Sequence, residues 1–286
     1  MYLSSINPVG EIQWWYYLRT FERIGFSNCT NNSGYYPNSW LIMKISVIIP
    51  TYEEEVKVGE LVSYLLKHQS ELLEEIIVCD GGSPDNTVAQ AEAAGAKVPH
   101  SPQKGRAAQM NYAASQAQGE ILYFVHADTL PPASYLANID FYVQHGYTSG
   151  CYQSLFENEH PFLKINGFFS RFDRITCRGG DQTLFVTRQH FEQLGGYDEY
   201  YIVMEDFDFI RRLRQAGKFI VMPEAALISA RKYQDNHYLW VNIANGIVFL
   251  MYRLGFSPQT LLKTYKKMVY YPRYPEKPEV SVKSKS

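Results

Sequence analysis

The chain has 286 residues, with 27 Lys and Arg against 29 Asp and Glu, for a formal net charge of -2. That length supports one large domain or two small ones with a full core, and with no long block of like charge there is no basis for nucleic-acid binding. The 4 Cys, at positions 29, 79, 151 and 177, contain no C-x-x-C pair, so neither a zinc site nor a disulfide framework is legible and a reducing cytoplasm is the default compartment. The 23 Tyr and 16 Phe are dense before Lys44 and after Tyr233, a distribution suited to interfaces with partners or lipid head groups.

Residues 1–43 lack the basic start, apolar core and small-residue cleavage site of a signal peptide. At Met43 the text changes to MKISVIIP, itself an ordinary chain start, so 1–43 are expected to be a disordered leader or the product of a misassigned start. From Lys44 the pattern is regular. ISVIIP (45–50) and EIIVCD (75–80) are short, apolar and β-branched, as strands buried on both faces are. Between them Val58, Leu61, Val62, Leu65 and Leu66 recur at three- and four-residue steps and put one apolar stripe on a helix.

Asp85 or Asn86 suits an N-cap for a helix through 94, with Gly95 ending it. A short strand at 96–98, a helix over about 106–117 stopped near Gly119, and the strand EILYFV (120–125) follow. The alternation predicts an α/β fold with a mostly parallel sheet, helices on both faces, and ligands at the carboxyl ends of the strands. Thr51, Asp80 and Asp128 all fall just beyond such ends.

Past Pro132 the text is less regular. Strands are expected at 150–154 and 183–187, a helix over 205–216 stopped by Gly217, and a short strand at 219–221. The aromatic, Arg-rich segment 155–180 reads as a mobile or acceptor-facing insertion. Residues 238–252 carry no charge and predict a buried or interfacial helix, too short for a bilayer that needs about 20 residues. Beyond it Lys263, Lys266, Lys267, Arg273 and Lys277 interleave with Tyr265, Tyr270, Tyr271 and Tyr274, which suits an anionic membrane surface or a solvated tail equally.

The loop VCDGGSPDNT (78–87) is the most specific stretch: a carboxylate leaves a strand, two glycines permit close backbone approach, and Asp85-Asn86 open the next helix. It is not G-x-G-x-x-G, and no G-x-x-x-x-G-K-[ST] loop is present, which disfavours dinucleotide and P-loop folds.

Taken in order, IIPTYEEE (48–55), VCDGGSPDNT (78–87), KGRAAQMN (104–111), VHADT (125–129), GDQ (180–182) and MEDFD (204–208) resemble the family 2 glycosyltransferases, enzymes of the A-type nucleotide-sugar fold. Within them the chain looks most like the branch associated with radical-SAM and selenodomain proteins, and the resemblance covers about 44–274. It implies a single Rossmann-like glycosyltransferase domain at 44–232, with a nucleotide-binding half (44–132) and an acceptor-binding half (133–232), followed by a helical, aromatic and basic extension at 233–286.

The implied reaction is inverting transfer from a nucleotide-diphosphate sugar to an acceptor hydroxyl. The acceptor's identity is open, with a lipid-linked or membrane-associated molecule suggested, and the implied location is cytoplasmic, peripheral on the cytoplasmic face of the membrane. A catalytically inactive nucleotide-sugar-binding or regulatory protein is the alternative. By the resemblance, Thr51, Glu54, Asp80 and Gly81 belong to the nucleotide, Arg106 to the diphosphate, and Asp128 to a divalent cation, Mg²⁺ or Mn²⁺. His126 stands where relatives carry the first acid of Asp-x-Asp, as a second ligand or a donor to the substrate. Asp206 is the implied general base with Glu205 in reserve, Asp208 supports the helix, Asp181 and Gln182 face acceptor or donor sugar, and Arg231 or Lys232 reaches the diphosphate. Glu53 occupies a position where the family usually has Asn.

Overall fold

Ile45–Thr51 (β1) is buried along its whole length and lies between two parallel neighbours in the sheet. The computed structural model describes residues 42–158, 160–178, 182–233 and 236–269. The expectations for residues 1–41, Asp181 and the tail beyond 269 lie outside these. Met43, just before the expected domain start at Lys44, packs against the core.

β1 pairs in parallel with Leu73–Asp80 (β2) on one side and Ile121–Phe124 (β3) on the other, in a register that sets Thr51 opposite Asp80. The crossover from β1 to β2 is helix Val58–Lys67 (α1), whose Val58, Leu61, Val62 and Leu65 are buried. Thr87–Ala93 (α2) is followed by Gly95 at φ 99, and the expected strand at 96–98 is reduced to a bridge between Lys97 and Ile77. Arg106–Gln116 (α3) buries Met110 and four small side chains, Ala107, Ala108, Ala113 and Ala114, against β1 and β2. Gly119, expected as the stop for this helix, has another reason to be glycine. A Cβ there would sit 2.7 Å from Lys44 O and Ser46 N.

The second half adds Thr129–Leu130 (β4), Tyr135–Gln144 (α4), Ser149–Phe156 (β5), Pro161–Ser170 (α5), Leu184–Thr187 (β6), Arg188–Gln193 (α6), Glu205–Ala216 (α7), Phe219–Ile228 (β7), Tyr238–Arg253 (α8) and Pro258–Met268 (α9). Sheet order is β2-β1-β3-β6-β5-β7-β4. β6 and β4 run against the other five strands, so the sheet is mostly parallel, as expected. One face is covered by α1, α2 and α4, the other by α3, α6 and α7. A third apolar cluster, with Leu163, Tyr233, Val241 and Ala244, sits beneath α5, α8 and α9.

Two segments differ from expectation. The segment 155–180, expected as a mobile or acceptor-facing insertion, carries regular structure in its described residues: β5 runs on to Phe156, and α5 docks on α8 through His160 stacked on Tyr238 at 3.7 Å and Asn166 Nδ2 donating to Asn242 Oδ1 at 2.9 Å. The strand expected at 219–221 is 10 residues long, because its second half finds partners in both β5 and β4.

At the strands' amino ends a buried carboxylate fastens the first half together. Glu75 on β2 accepts from Ser46 Oγ of β1 (3.0 Å), from the Gln118 N–H before β3 (2.6 Å) and from Lys97 Nζ (2.6 Å). Burial works to raise its pKa, but the Lys97, Gln118 and Ser46 contacts outweigh it and hold the carboxyl below the ordinary 4.5. Glu53, in the β1–α1 loop, has φ 55 and Met204, just before α7, has φ 71. Asn occupies this left-handed region at lower cost than Glu, a physical reason for the Asn that the resemblance leads one to expect at the Glu53 position.

Replacing Glu75 with Ala is expected to lower unfolding free energy by about 2–3 kcal/mol, mostly from orphaned buried donors because Lys97 is largely solvated. Since the folded pKa is depressed, the carboxylate's contribution is full above 4.5 and is lost as pH falls through the lower folded value, so urea titrations of the variant should fall less steeply over that acid range. Glu53→Asn should stabilise by about 1 kcal/mol and raise the melting temperature by about 2–4 °C. An unchanged melting curve would remove the strain argument.

Candidate active site

The parallel register brings the carboxyl ends of β1, β2 and β3 to one edge, and the first half of the site follows from it. Asp80 is buried and its carboxylate organises the loop after β2. Oδ2 accepts from the N–H groups of Gly82 (2.8 Å) and Ser83 (2.7 Å), while Oδ1 accepts from Ser83 Oγ (2.5 Å) and Thr51 Oγ1 (3.4 Å). Four donors nearly exhaust the lone pairs of a carboxylate, so a base reaching Asp80 must turn one of the two hydroxyls aside. Gly81 N donates to Thr51 O (2.9 Å), closing β1 to β2 at the edge.

Gln109, which sequence reasoning missed, sits below this loop. Its Nε2 donates to Thr51 O (2.8 Å) and Cys79 O (2.7 Å), tying both strand ends to α3. A buried Gln on a helix otherwise lined with Ala is the signal that was available.

Glu54 and Asp128 share one cation. Arg231 Nη1 and Nη2 reach the two Glu54 oxygens at 3.1 and 2.9 Å, and Nη2 also reaches Asp128 Oδ2 at 3.1 Å. The β4–β7 pairing supplies the geometry, since Ser229 N donates to Asp128 O at 3.0 Å just before Arg231. Burial pushes the Glu54 carboxyl up to about 7 against the opposing pull of Arg231, with Asp128 and Asp85 adding to the rise. A cavity of about 300 Å³ opens here, lined by Glu53, Glu54, Glu55, Asp85 and Arg231 among others. His126, half-buried between β3 and β4, accepts at its carbonyl from Thr129 N (3.0 Å).

The second half is built on α7. Met204 in the left-handed conformation opens the helix, and Glu205 and Asp206 follow in its first turn, both buried. Arg106 faces them across the site, its Nη1 at 3.2 Å from Glu205 Oε1 and 3.5 Å from Asp206 Oδ2. The cation assigned to a diphosphate therefore stands against the two acids assigned to catalysis. Asp208 instead turns back onto its own helix, to Arg211 (2.6 Å) and Arg212 (2.8 Å), which matches a supporting role.

Behind the acids Tyr197 is fully buried, and burial, with Asp206 and Glu205 nearby, drives its hydroxyl far above the usual tyrosine range. It is held neutral.

Glu205, Asp206 and Arg106 line a cavity of about 460 Å³ whose other walls come from α5, α8 and the 3₁₀ turn Ile175–Cys177. Gln182 lies in the same wall, with Nε2 donating to Ser154 Oγ at 3.2 Å. Asp181 is outside the described residues, and of Lys232 only the backbone is described. Arg178, not singled out in the sequence, is a buried cavity residue held by Cys151 Sγ (2.9 Å) and by the carbonyls of Ser170 and Phe172. In a segment rich in Arg, nothing local marked it. Ile228 and Tyr233 line the larger cavity while Arg231 lines the smaller one, so the turn after β7 serves both.

Residues 46–187 match the model of the family described as Glycosyl transferase family 2. In sequence the chain is similar to glucosyl-3-phosphoglycerate synthase of Mycolicibacterium paratuberculosis, 37% identical over 98 residues, covering 31% of this chain and 29% of that one. It is also similar to dolichol-phosphate mannosyltransferase of Pyrococcus furiosus, 30% identical over 109 residues, covering 36% and 31%. The chain thus spans less than a third of the length of these curated relatives.

In structure it resembles a mannosyltransferase from Pyrobaculum calidifontis in complex with GDP-Man and Mn²⁺, with a TM-score of 0.56 at 16% identity over 89% of this chain and 76% of that one. It also resembles glucosyl-3-phosphoglycerate synthase from Mycobacterium tuberculosis in complex with Mn²⁺, UDP and glucosyl-3-phosphoglycerate, with a TM-score of 0.53 at 18% identity over 78% and 87%. At such identities the likeness shows the fold. Sheet order, motif order and family match agree: from β1 to β6 the chain carries a family 2 glycosyltransferase domain on the A-type fold.

Proposed function

We propose that the chain is an inverting glycosyltransferase that moves a sugar from a nucleotide-diphosphate donor to the hydroxyl of an acceptor bound in the larger cavity. The observation that carries this reading is the pair of buried acids, Glu205 and Asp206, which open onto that cavity with Arg106 within 3.5 Å. A binding protein without turnover has no use for a carboxylate kept at a helix start that lines a cavity of this size. The narrower kinship with the radical-SAM and selenodomain-associated branch rests on GRAAQMN, HADT, GDQ and MEDFD occurring together.

In this reading Thr51, Asp80 and Gly81 receive the nucleotide, and Asp206 takes the acceptor proton. The hydroxyl oxygen then attacks the anomeric carbon, and the bond to the diphosphate breaks with its electron pair leaving on the nucleotide. Arg106 and Arg231, each already beside two carboxylates, are the cations that would offset the departing charge.

The donor set fits a hard divalent ion. Among the described residues no group of three acidic, His or Cys side chains forms a cage, and Asp128 offers a part-exposed carboxylate. That suits Mg²⁺ or Mn²⁺, which take one or two carboxylates and complete their shells with phosphate oxygens and water. Such an ion, when bound, neutralises the diphosphate as it leaves. GDP-Man and UDP are bound by the structural neighbours, which makes GDP and UDP sugars the first donors to try.

Asp206→Asn should lower transfer by about 10²–10⁴-fold while leaving nucleotide-diphosphate affinity near wild type. Full transfer by the purified variant would end the base assignment. Asp128→Ala should weaken Mn²⁺-dependent binding of UDP or GDP in calorimetric titrations, and unchanged metal-dependent binding would displace Asp128 as ligand. Slow release of nucleotide diphosphate from UDP-glucose or GDP-mannose in the presence of Mn²⁺ separates an enzyme from an inactive binder.

A further inference from the structure

α8 has three distinct faces. Val241 and Ala244 are buried against the domain, Asn242, Asn245, Val248 and Phe249 line the larger cavity, and Trp240, Ile243, Ile247, Leu250 and Leu254 lie exposed at three- and four-residue steps. Exposure reaches 50% for Trp240 and 67% for Leu254. α5, which contacts α8, repeats the pattern with Phe162, Ile165, Phe168 and Phe169 exposed, and Phe172 just past its end. Scattered apolar side chains are ordinary on a surface, but two such rows on helices in contact are not.

Charge on these elements is segregated. Residues 161–172 and 236–269 contain no Asp or Glu, whereas Lys164, Arg171, Arg253, Lys263, Lys266 and Lys267 are all exposed. The whole chain has a slight acidic excess, so this cationic region is local. The Arg171 guanidinium carbon lies over the Phe168 ring at 4.2 Å, a cation–π contact that puts a cation directly on the exposed aromatic row. No helix of the described residues is long and apolar enough to cross a membrane. An apolar stripe bearing Trp, edged by cations and free of acids, is the pattern of a helix lying in the head-group layer of an anionic leaflet.

We infer that the exposed faces of α5 and α8 dock the protein on an anionic membrane surface, with α9 supplying the basic flank. The same two helices wall the 460 Å³ cavity that Glu205 and Asp206 face, so docking sets that cavity against the bilayer and fits an acceptor carried by a lipid. The inference rests on the proposed transfer reading only for that last step. Docking itself is independent of turnover.

The test is co-sedimentation of the full chain with phosphatidylglycerol-containing vesicles and with vesicles of phosphatidylcholine alone. Wild type should pellet with the anionic vesicles and much less with the neutral ones. Trp240→Glu with Ile247→Glu should reduce binding by about tenfold or more, and Lys263→Gln, Lys266→Gln and Lys267→Gln by about fivefold per lysine, with high salt acting the same way. Unaltered nucleotide-diphosphate binding and thermal melting confirm that these variants are folded, and the lysine series carries the test should the glutamates fail to fold.

The inference is overturned if wild type stays in the supernatant with anionic vesicles, or if both sets of variants pellet as wild type does. It is also overturned if wild type chromatographs as a dimer that Trp240→Glu with Ile247→Glu converts to a monomer, which would make the face a contact between two copies. Because vesicle binding is read without any sugar donor, failure of docking and failure of the transferase reading remain distinguishable.

Discussion

One guanidinium joins the beginning of the domain to its end. Arg231 reaches Glu54, 177 residues earlier, and Asp128, 103 residues earlier, and holds together two carboxylates that the sheet forces toward one edge. The constraint is electrostatic: parallel strands ending together gather acidic side chains in a partly dry place, and buried charge must be compensated. The rise of Glu54 to about 7 shows that Arg231 offsets only part of the burial cost. Arg106 performs the equivalent service for Glu205 and Asp206. Both cations are part-exposed at positions where their partners are acids that a donor would approach, which distinguishes them from Arg211 and Arg212, bound within one helix to Asp208.

The sheet explains why two such clusters coexist. β6 enters antiparallel between β3 and β5 and separates a parallel half, whose ends carry Thr51, Asp80 and the approach to Asp128, from a second half that ends in β7 and the Arg231 turn. The first half is fastened at its opposite end by Glu75, Ser46 and the close approach at Gly119. With rigidity supplied far from the chemistry, the loops at the carboxyl edge are able to carry strain at Glu53 and Met204, one beside each cluster of acids.

Legibility followed the range of the forces involved. Strands β1 to β3 and helices α1 to α3 were readable because their signals are local: apolar runs, three- and four-residue stripes, and Asp85, Asn86 and Gly95 at helix ends. So was the gathering of Thr51, Asp80 and Asp128, because parallel alternation places strand ends together without further information. The Glu54–Arg231–Asp128 contact was not readable, since it depends on the register of the two-residue strand β4 against β7. α5, inside the segment expected as a mobile or acceptor-facing insertion, was not readable as a helix because its packing comes from α8, through His160 on Tyr238 and Asn166 on Asn242, and neither pair leaves a trace in the spacing of its own segment. α4 was overlooked although Tyr135, Leu136, Ile139 and Val143 carry an ordinary helical stripe.

The C-terminal helices follow a different rule from the rest of the domain. Elsewhere each amphipathic helix spends its apolar stripe on the sheet, as α1 does with Val58, Leu61, Val62 and Leu65. α8 has apolar residues enough for two stripes, and the domain covers one of them. Its amide side chains, part-exposed Asn242 and exposed Asn245, line the cavity that holds Glu205 and Asp206. A helix with amides on this cavity and a second apolar stripe on the exterior has the arrangement that the proposed docking on an apolar surface would use. α5, α8 and α9 contain no Asp or Glu, so the charge they would present to the proposed surface is positive and complementary to an anionic one.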